Sequence, residues 1–343
     1  MTFKNNWEKA DQHFQVSAPM IQAMVKLALP EKKLVFHEVI SGGCANLNIK
    51  IDLSNEPQPF ILRIYLRDKA AAYREQKLAA LIKHSVPLPE VYFVGDFEDH
   101  RFAITEYMPG ISLRDLLLNH PNGNIPGIMY QAGQILASIQ KYQFSIAGFL
   151  DADLKVSPPT SRQEYVTFAR ECLTHPTVLA QIGHETISKI TEYLEKYGSL
   201  FPDENQTHLA HGDYGPENIL VDKIEGQWKI TAILDWEFAH SGSTLCDVAN
   251  MLRYAHHMPP IFEDSFLQGL KQGGVNLPEK WRISIHLLNL LSLLDCLIRR
   301  SPKERPHQCA DICALIRFYL GQLDETTQQQ VAKTQHCGWP KMS

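Results

Sequence analysis

Oxygen-bearing side chains cluster in one short stretch of the sequence, HGDYGPENILVD at residues 211–222. Its Asp213 and Asn218 flank a proline, and Asp235 follows further along the chain. Carboxylate and amide oxygens suit Mg²⁺ better than zinc. A carboxylate beside such a cation, but not bound to it, could accept the proton of a hydroxyl group. Phosphoryl transfer needs these groups, because the protein mainly positions the reactants and neutralises charge.

The segment NILVDKIEGQWKITAILD, residues 218–235, predicts a β-hairpin around a turn at Gly226–Gln227. A two-residue type II′ turn there would place Asn218 directly opposite Asp235, with their Cβ atoms about 5 Å apart. The two side chains could then share one cation, with Asp213 beside it. A longer, bulged turn would shift this register.

The residues before this motif predict a small antiparallel sheet. Between 33 and 66 lie three strand-like runs, KLVFHEV, LNIKIDL and FILRIYL. The helical pattern KAAAYREQKLAALIKH follows, and VYFVGDF and RFAITEYM supply two further strands. We therefore expect a five-stranded sheet with one helix.

The sequence beyond this sheet is mostly helical in pattern. Pro109 and Gly110 end the last strand, and Ser112 is placed to cap a helix. Helices are expected at 126–142 and 184–197, after a capping box from Ser161 to Glu164, and beyond Thr244. We predict an α+β chain with an N-terminal domain, including an N-terminal extension, at 1–108 and a mainly helical domain at 109–343.

Composition narrows the classes of partner. With 343 residues, 44% of them hydrophobic, the chain can bury a large core, which excludes a small disulfide scaffold. The net charge of -5 makes nucleic acid an unfavourable partner.

The N-terminus lacks the apolar stretch of a secretory signal, and the apolar run 285–298 is too short to span a bilayer. We expect a cytoplasmic protein without membrane association, with its seven cysteines reduced. A metal site formed by Cys309, Cys313 and His307 is a minor alternative.

HGDYGPENIL, followed by ILDWEFA, resembles the aminoglycoside phosphotransferase and choline kinase superfamily, relatives of protein kinases. The resemblance implies a protein-kinase-like fold with a small antiparallel-sheet N-lobe and a mainly helical C-lobe. It implies that Asp213 is the catalytic base and that Asn218 and Asp235 bind Mg²⁺. By the same resemblance His211 and Asp247 brace the catalytic loop.

The N-terminal half resembles the nucleotide-binding part of this superfamily. ISGGCANLNIKI is similar to its phosphate-covering hairpin, Arg63 stands where kinases carry a lysine, Glu75 matches the helix partner of that lysine, and ITEYMPG resembles the hinge. The residues thereby assigned to ATP or GTP are Ser41, Gly42, Gly43, Asn46, Arg63, Glu75, Glu106 and Met108. The alternatives are an ordinary turn at Gly42–Gly43, a surface arginine and a solvated glutamate.

The acceptor side of the reaction has weaker signals. Only 11 residues separate Asp235 from Asp247, too few for a peptide-binding platform, so a small hydroxylated acceptor is favoured. Candidate acceptor contacts are Glu237, Glu263, Asp264 and Asp295. Asp295 ends a polar stripe of His286, Asn289 and Ser292 on an apolar helix. It either pairs with Arg299 one turn onward or lines an acceptor groove facing Asp213.

These patterns support two hypotheses. The first is an ATP- and Mg²⁺-dependent kinase, monomeric or homodimeric, that phosphorylates a hydroxyl of an aminoglycoside-like antibiotic, an amino alcohol, a sugar or a related metabolite. The second is a catalytically silent nucleotide-binding regulatory protein on a kinase scaffold. The intact set of Asp213, Asn218 and Asp235 favours the first.

Overall fold

A computed structural model describes residues 3–8, 16–40, 46–120 and 123–336. The predicted five-stranded antiparallel sheet is present, with strand order β1-β2-β3-β5-β4. Its strands are β1 (Leu34–Ile40), β2 (Asn46–Leu53), β3 (Phe60–Tyr65), β4 (Val91–Phe97) and β5 (His100–Glu106). The α+β class is confirmed.

The two faces of this sheet have different partners. Ile49 and Ile51 of β2 are buried against Ile21 and Met24 of α1 (Ala18–Ala28). Asn48 and Arg63 are cross-strand neighbours and therefore share the opposite face. Helix α2 (Ala71–Ile82) packs on that second face, where its first two alanines contact Tyr65 and Ala103.

Helices dominate the rest of the described chain. They are α3 (Leu113–Asn119), α4 (Ile125–Ile139), α5 (Arg162–Thr174), α6 (Pro176–Tyr197), α7 (Thr244–Met251), α8 (Ile261–Gln272), α9 (Trp281–Ile298) and α10 (Pro306–His336). Ser112 caps α3 by accepting the Asp115 N–H at 3.0 Å, and the Ser161–Glu164 capping box opens α5, both as expected. Helix α6 begins well before the expected 184 and contains a kink at Gly183, where φ is 77°.

Two small sheets lie outside the main one. Their strands are β6 (Ile111–Ser112), β7 (Gly148–Leu150), β8 (Val156–Pro159), β9 (His208–Ala210), β10 (Ile219–Ile224), β11 (Gln227–Ile233) and β12 (His240–Gly242). The strand orders are β11-β10-β6 and β8-β7-β12-β9. Of these, the sequence predicts only the β10–β11 hairpin, because strands of two to four residues are too short for a periodic pattern.

The chain divides into two compact units. One contains the described residues of Met1–Glu8, Thr160–Glu204 and Leu277–Ser343, and the other those of Lys9–Pro159 and Asn205–Asn276. The five-stranded sheet and the motif at 211–235 both belong to the second unit. Residues on both sides of the predicted domain boundary at 108 and 109 also belong to it, and that boundary stays a prediction.

Helices α4 and α8 of the second unit touch through their backbones. A Cβ atom at Gly133 would lie 2.1 Å from the Phe266 carbonyl oxygen, and one at Gly269 would lie 2.0 Å from the Tyr130 carbonyl oxygen. Real Cβ atoms do not approach that closely. The two glycines therefore set the distance between these helices.

Helix α9 contains the apolar run of the sequence. In the part of the chain that the structure describes, it is the one helix long and apolar enough to cross a membrane by length and composition. In the fold, 61% of this helix is buried. Cys309 and Cys313 of α10 are free thiols, and His307 bonds to Glu8 instead of sharing a metal with them.

Glu8 caps α10 from the far end of the sequence. Its carboxylate accepts the N–H groups of His307 and Gln308 at 2.7 and 3.1 Å. Burial acts to raise the pKa of Glu8, but these hydrogen bonds outweigh it and lower the pKa to about 2. A carboxyl group with a lowered pKa stabilises the fold above its unfolded pKa of about 4.3, and this contribution is lost as the pH falls toward 2.

We expect Glu8→Gln to lower the melting temperature at pH 7, because a neutral amide is a weaker acceptor at a helix N-terminus. The difference from the wild type should shrink as the pH falls from 5 to 3. Thermal unfolding of both proteins over this pH range is the measurement. A difference that stays constant with pH would contradict the capping role of the charge.

Candidate functional site

His211 is held by both nitrogens of its ring. The side chain is fully buried, Nε2 donates to the Leu234 carbonyl at 2.9 Å, and Nδ1 accepts the Asp213 N–H at 3.2 Å. Burial also lowers the pKa of His211. The imidazole is therefore neutral, with its proton on Nε2, and both nitrogens are engaged in fixing the loop.

Asp247 fixes the same loop from α7. Its carboxylate accepts the His211 and Gly212 N–H groups at 2.8 and 2.9 Å. Burial raises the pKa of Asp247 to about 7, although the two hydrogen bonds oppose this rise. Gly212 has a φ of 85°, and a Cβ atom there would meet the Phe238 carbonyl oxygen at 2.2 Å. Position 212, where the loop passes the segment that follows Asp235, therefore requires glycine.

Asp213 and Asn218 contact each other directly. The Asn218 amide nitrogen donates to the Asp213 side-chain Oδ2 at 3.0 Å and to its carbonyl oxygen at 2.9 Å. Because Nδ2 faces Asp213, the amide oxygen of Asn218 is the atom left for a cation. Asn218 ends a short 3₁₀ helix, Pro216–Asn218, which sets its distance from Asp213.

The predicted register of the hairpin is wrong. The turn is Glu225–Gly226, with φ values of 53° and 79°, one residue before the expected Gly226–Gln227. Two successive positive φ angles correspond to a type I′ turn, in which glycine takes the second place.

A bulge between Leu220 and Val221 shifts the register once more. As a result the Leu234 N–H donates to the Asn218 carbonyl at 2.8 Å, and Asn218 faces Leu234 instead of Asp235. Asp235 lies just beyond β11 in a left-handed conformation, with φ 66° and ψ 65°. The two candidate metal ligands thus do not form the expected cross-strand pair.

Arg63 contacts two other predicted site residues, Asp235 and Glu75. Its Nη2 lies 2.6 Å from the Asp235 Oδ1 and 3.4 Å from the Glu75 Oε1. The side chains of Arg63 and Glu75 are each 13% exposed, so neither is the solvated surface residue of the alternative interpretation.

Burial and neighbouring charges shift the pKa values of Glu75 and Arg63. Burial raises the pKa of Glu75 to about 7, and the charge of Asp235 adds to the rise while Arg63 opposes it. Burial acts to lower the pKa of Arg63, but Glu75 and Asp235 outweigh it, and the pKa is raised above its ordinary value. Tyr65 donates its hydroxyl proton to the Glu75 Oε2 at 2.7 Å. Sequence reasoning missed Tyr65, although its position two residues after Arg63 puts it on the same strand face.

Glu237 lies inside the site. Its side chain is 9% exposed and lies 3.6 Å from Arg67, and its Oε2 accepts from the Asn46 amide at 2.8 Å. Burial and the neighbouring Asp235 raise the pKa of Glu237. Asn46, expected to contact the nucleotide, thus donates its amide to Glu237.

The predicted nucleotide residues are only partly described. Ser41, Gly42 and Gly43 lie outside the described residues. Glu106 ends β5 and donates its N–H to the Glu90 carbonyl at 2.8 Å, while Met108 follows as a part-buried residue. Because the N–H of Glu106 is already bonded, a purine base at this hinge would accept its hydrogen bond from an N–H group further along the chain.

The candidate acceptor residues lie on different elements and belong to both units. Glu263 and Asp264 lie in the first turn of α8. Asp295 forms an ion pair with Arg299, one turn along α9. It belongs to the unit that does not contain Asp213, and the acceptor groove stays a prediction.

The donor set can be compared with what Mg²⁺ requires. Within the described ranges, no group of three or more His, Cys, Asp or Glu side chains is arranged to hold a metal ion. Mg²⁺ needs fewer protein ligands, because it keeps several waters and binds substrate phosphates. The carboxylate of Asp235 and the amide oxygen of Asn218 are ligand types that suit that ion.

Sequence comparison relates the chain to known proteins. A model of the phosphotransferase enzyme family matches residues 37–283. Hygromycin-B 4-O-kinase of Escherichia coli is 26% identical over 184 residues, which cover 52% of this chain and 50% of the relative. Acyl-CoA dehydrogenase family member 11 of Gallus gallus is 24% identical over 206 residues, covering 59% of this chain and 24% of the relative. The chain thus spans half or less of the length of these curated relatives.

Solved structures share the fold. The aminoglycoside phosphotransferase APH(4)-Ia has a TM-score of 0.66 at 17% identity, covering 89% of this chain and 98% of that one. The GDP complex of aminoglycoside 2'-phosphotransferase-IIIa has a TM-score of 0.69 at 14% identity, with 90% and 99% covered. Choline kinase LicA from Streptococcus pneumoniae gives 0.59 at 12% identity, with 89% and 98% covered. The expected kinase-like fold is confirmed.

Proposed function

We propose that this chain, which belongs to the phosphotransferase enzyme family, transfers the γ-phosphoryl group of ATP or GTP to a hydroxyl group of a small molecule. The observation that carries the proposal is one cluster in one unit. Asp213 is bound to Asn218, and Asp235 is bound to Arg63 and thereby to Glu75. A base, two oxygen ligands and a phosphate-binding cation are the parts that phosphoryl transfer uses.

Asp213 is the base in this proposal. Its carboxylate accepts the proton of the acceptor hydroxyl as the oxygen forms a bond to the γ-phosphorus and the bond to the leaving nucleoside diphosphate breaks. The hydrogen bond from Asn218 to Oδ2 leaves Oδ1 for that proton. His211 has no nitrogen left to share this role.

Asn218 and Asp235 are the proposed Mg²⁺ ligands. When bound, the ion neutralises charge on the phosphate oxygens. Arg63 has a fork of donors for the same oxygens, and its buried Nε has no hydrogen-bond partner within the described chain. Glu75 and Tyr65 hold the guanidinium in place.

Nucleotide consumption over a panel of acceptors tests the function. Hygromycin B, other aminoglycosides, macrolides, choline, homoserine and sugars form the panel, each with ATP and with GTP. Hygromycin B and choline are included because relatives are named for them. Both nucleotides are included because related structures hold AMP-PNP or GDP. Acceptor-dependent consumption would support the kinase, whereas Mg²⁺-dependent nucleotide binding without turnover would favour the silent regulatory protein.

Asp235→Asn should raise the Mg²⁺ concentration needed for half-maximal nucleotide binding by roughly tenfold or more, because a carboxylate ligand becomes neutral. Calorimetric titration with Mg²⁺ and a nucleotide is the measurement. Asp222→Asn makes the same chemical change in the same hairpin and is the matched control. An unchanged Mg²⁺ dependence in Asp235→Asn would remove Asp235 from the metal site.

A further inference from the structure

The backbone of Asp235 has a conformation that side chains rarely adopt. Its φ of 66° lies in the left-handed region, which costs a residue other than glycine on the order of 1 kcal/mol or more. Such a conformation persists only where the surroundings fix it. The residues after Asp235 form a short 3₁₀ helix, Trp236–Phe238, so whatever holds that helix also fixes the carboxylate of Asp235.

Arg74 holds this helix. The Arg74 Nη2 donates to the Glu237 carbonyl oxygen at 2.6 Å, and Nη1 donates to the Leu150 carbonyl at 3.0 Å. Nη2 also lies 2.8 Å from the Asp68 carboxylate. The Arg74 side chain is 8% exposed, whereas Asp68 is 49% exposed. A buried guanidinium needs such partners, and its planar fork can reach two carbonyls at once.

Arg74 precedes Glu75 in α2, and the two point to one site by different routes. Glu75 contacts Arg63, and Arg63 contacts Asp235. Arg74 contacts Glu237, two residues after Asp235. Helix α2 thus contacts the site twice. Glu75 binds Arg63, the proposed phosphate-binding residue, and Arg74 binds the backbone at Glu237, close to the proposed metal ligand Asp235.

We propose that Arg74 is a positioning residue for the metal ligand, which keeps the Asp235 carboxylate oriented toward the cation and ties that orientation to α2. Arg74 itself contacts neither substrate nor metal. The inference rests on the proposed function, because it assigns Asp235 to Mg²⁺. It predicts that loss of Arg74 weakens the Mg²⁺-dependent part of nucleotide binding and leaves the Mg²⁺-independent part intact.

Arg74→Lys is the test, because it keeps the charge but loses the fork. The dissociation constant of ADP is measured with and without Mg²⁺. In the variant, we expect the Mg²⁺-free constant to stay within about twofold and the strengthening by Mg²⁺ to fall by roughly tenfold. Asp68→Asn is the control: it removes only the half-exposed partner of Arg74 and keeps an oxygen for the Ala70 N–H. Equal losses with and without Mg²⁺, or no loss, would overturn the proposal.

Hydrogen exchange in the nucleotide-free protein gives a second reading. The Ala239 N–H bonds to the Trp236 carbonyl at 3.1 Å, and the Leu234 N–H bonds to Asn218 at 2.8 Å. In Arg74→Lys, exchange at Ala239 should accelerate while exchange at Leu234 keeps its rate. Equal rates at Ala239 in variant and wild type would refute the positioning role, even if neither protein bound ADP. Absence of ADP binding to the wild type would instead count against the proposed function.

If Arg74→Lys does not fold, the wild type alone decides. Addition of Mg²⁺ and ADP should then slow exchange at Ala239 and at the α2 amide of Arg74, which bonds to the Ala70 carbonyl at 3.2 Å. Protection of both segments supports the tie between them. Protection at Ala239 without any change in α2 would overturn it.

Discussion

Replacement of Asp213 by alanine should lower kcat by a hundredfold or more, while the affinity for nucleotide stays within a few fold. A factor of one hundred corresponds to about 3 kcal/mol of transition-state stabilisation. The loss should appear in kcat because a base acts only in the chemical step. The structure adds a reason for the size of the effect: His211, the other titratable side chain of this loop, has both ring nitrogens engaged in hydrogen bonds and cannot act as a substitute base.

Steady-state kinetics with the acceptor identified by the panel measure this effect, and calorimetry measures nucleotide affinity. Asp222→Ala, which removes a carboxylate from β10 of the same hairpin, is the control and should keep kcat within about twofold. Near-normal turnover of Asp213→Ala would rule out the base assignment. A parallel loss of nucleotide affinity would indicate instead that the substitution disturbs the loop.

Gly269→Ala should destabilise the protein by about 3 kcal/mol or more. The new methyl group would lie 2.0 Å from the Tyr130 carbonyl, and the obstacle is the backbone of α4, which cannot rotate away as a side chain could. The helices must separate, and that separation opens space around the other residues of their interface. Gly133→Ala should behave in the same way, because its Cβ atom would meet the Phe266 carbonyl at 2.1 Å.

Gly321→Ala provides the opposite expectation for the same substitution. Gly321 lies within α10, and no atom beyond its own stretch of helix lies within 4 Å of its added Cβ atom. Alanine there should raise stability by roughly 0.5–1 kcal/mol, because glycine loses more conformational entropy in a helix. Thermal and urea unfolding of the three variants against the wild type is the measurement. Similar stability of Gly269→Ala and the wild type would show that α4 and α8 can move apart without cost.

Local chemistry explains which elements the sequence predicted well. The strands of the main sheet follow alternating apolar residues, and Ser112 and Ser161 mark their helices through hydrogen bonds to residues three positions away. Both signals are contained within a few residues. The register of the β10–β11 hairpin was predicted wrongly. It depends on the positive φ of Glu225 and on a bulge at Leu220, and the alternation of apolar residues reveals neither.

The contacts within the candidate site join residues that are far apart in the sequence. Arg63 and Asp235 are separated by 172 positions, and their contact follows from the packing of a strand against a hairpin end. Sequence resemblance named both residues, but it assigned them to a phosphate and a metal instead of to each other. Arg74 and Tyr65 were missed because an arginine before a glutamate and a tyrosine in a strand have no distinctive pattern. Only their burial, and the carbonyl and carboxylate oxygens around them, distinguish them.

The cap that Glu8 places on α10 bears on the order in which the protein folds during its synthesis. Glu8 and Gln308 are 300 positions apart. At a translation rate of about 5–20 residues per second, the synthesis of Gln308 follows that of Glu8 by an interval on the order of 15–60 s. The unit that holds the candidate site ends at Asn276, so all of its residues are made before α10 is. Throughout that interval the Glu8 carboxylate lacks the N–H groups of His307 and Gln308, so this cap forms only after the residues of the other unit have been made.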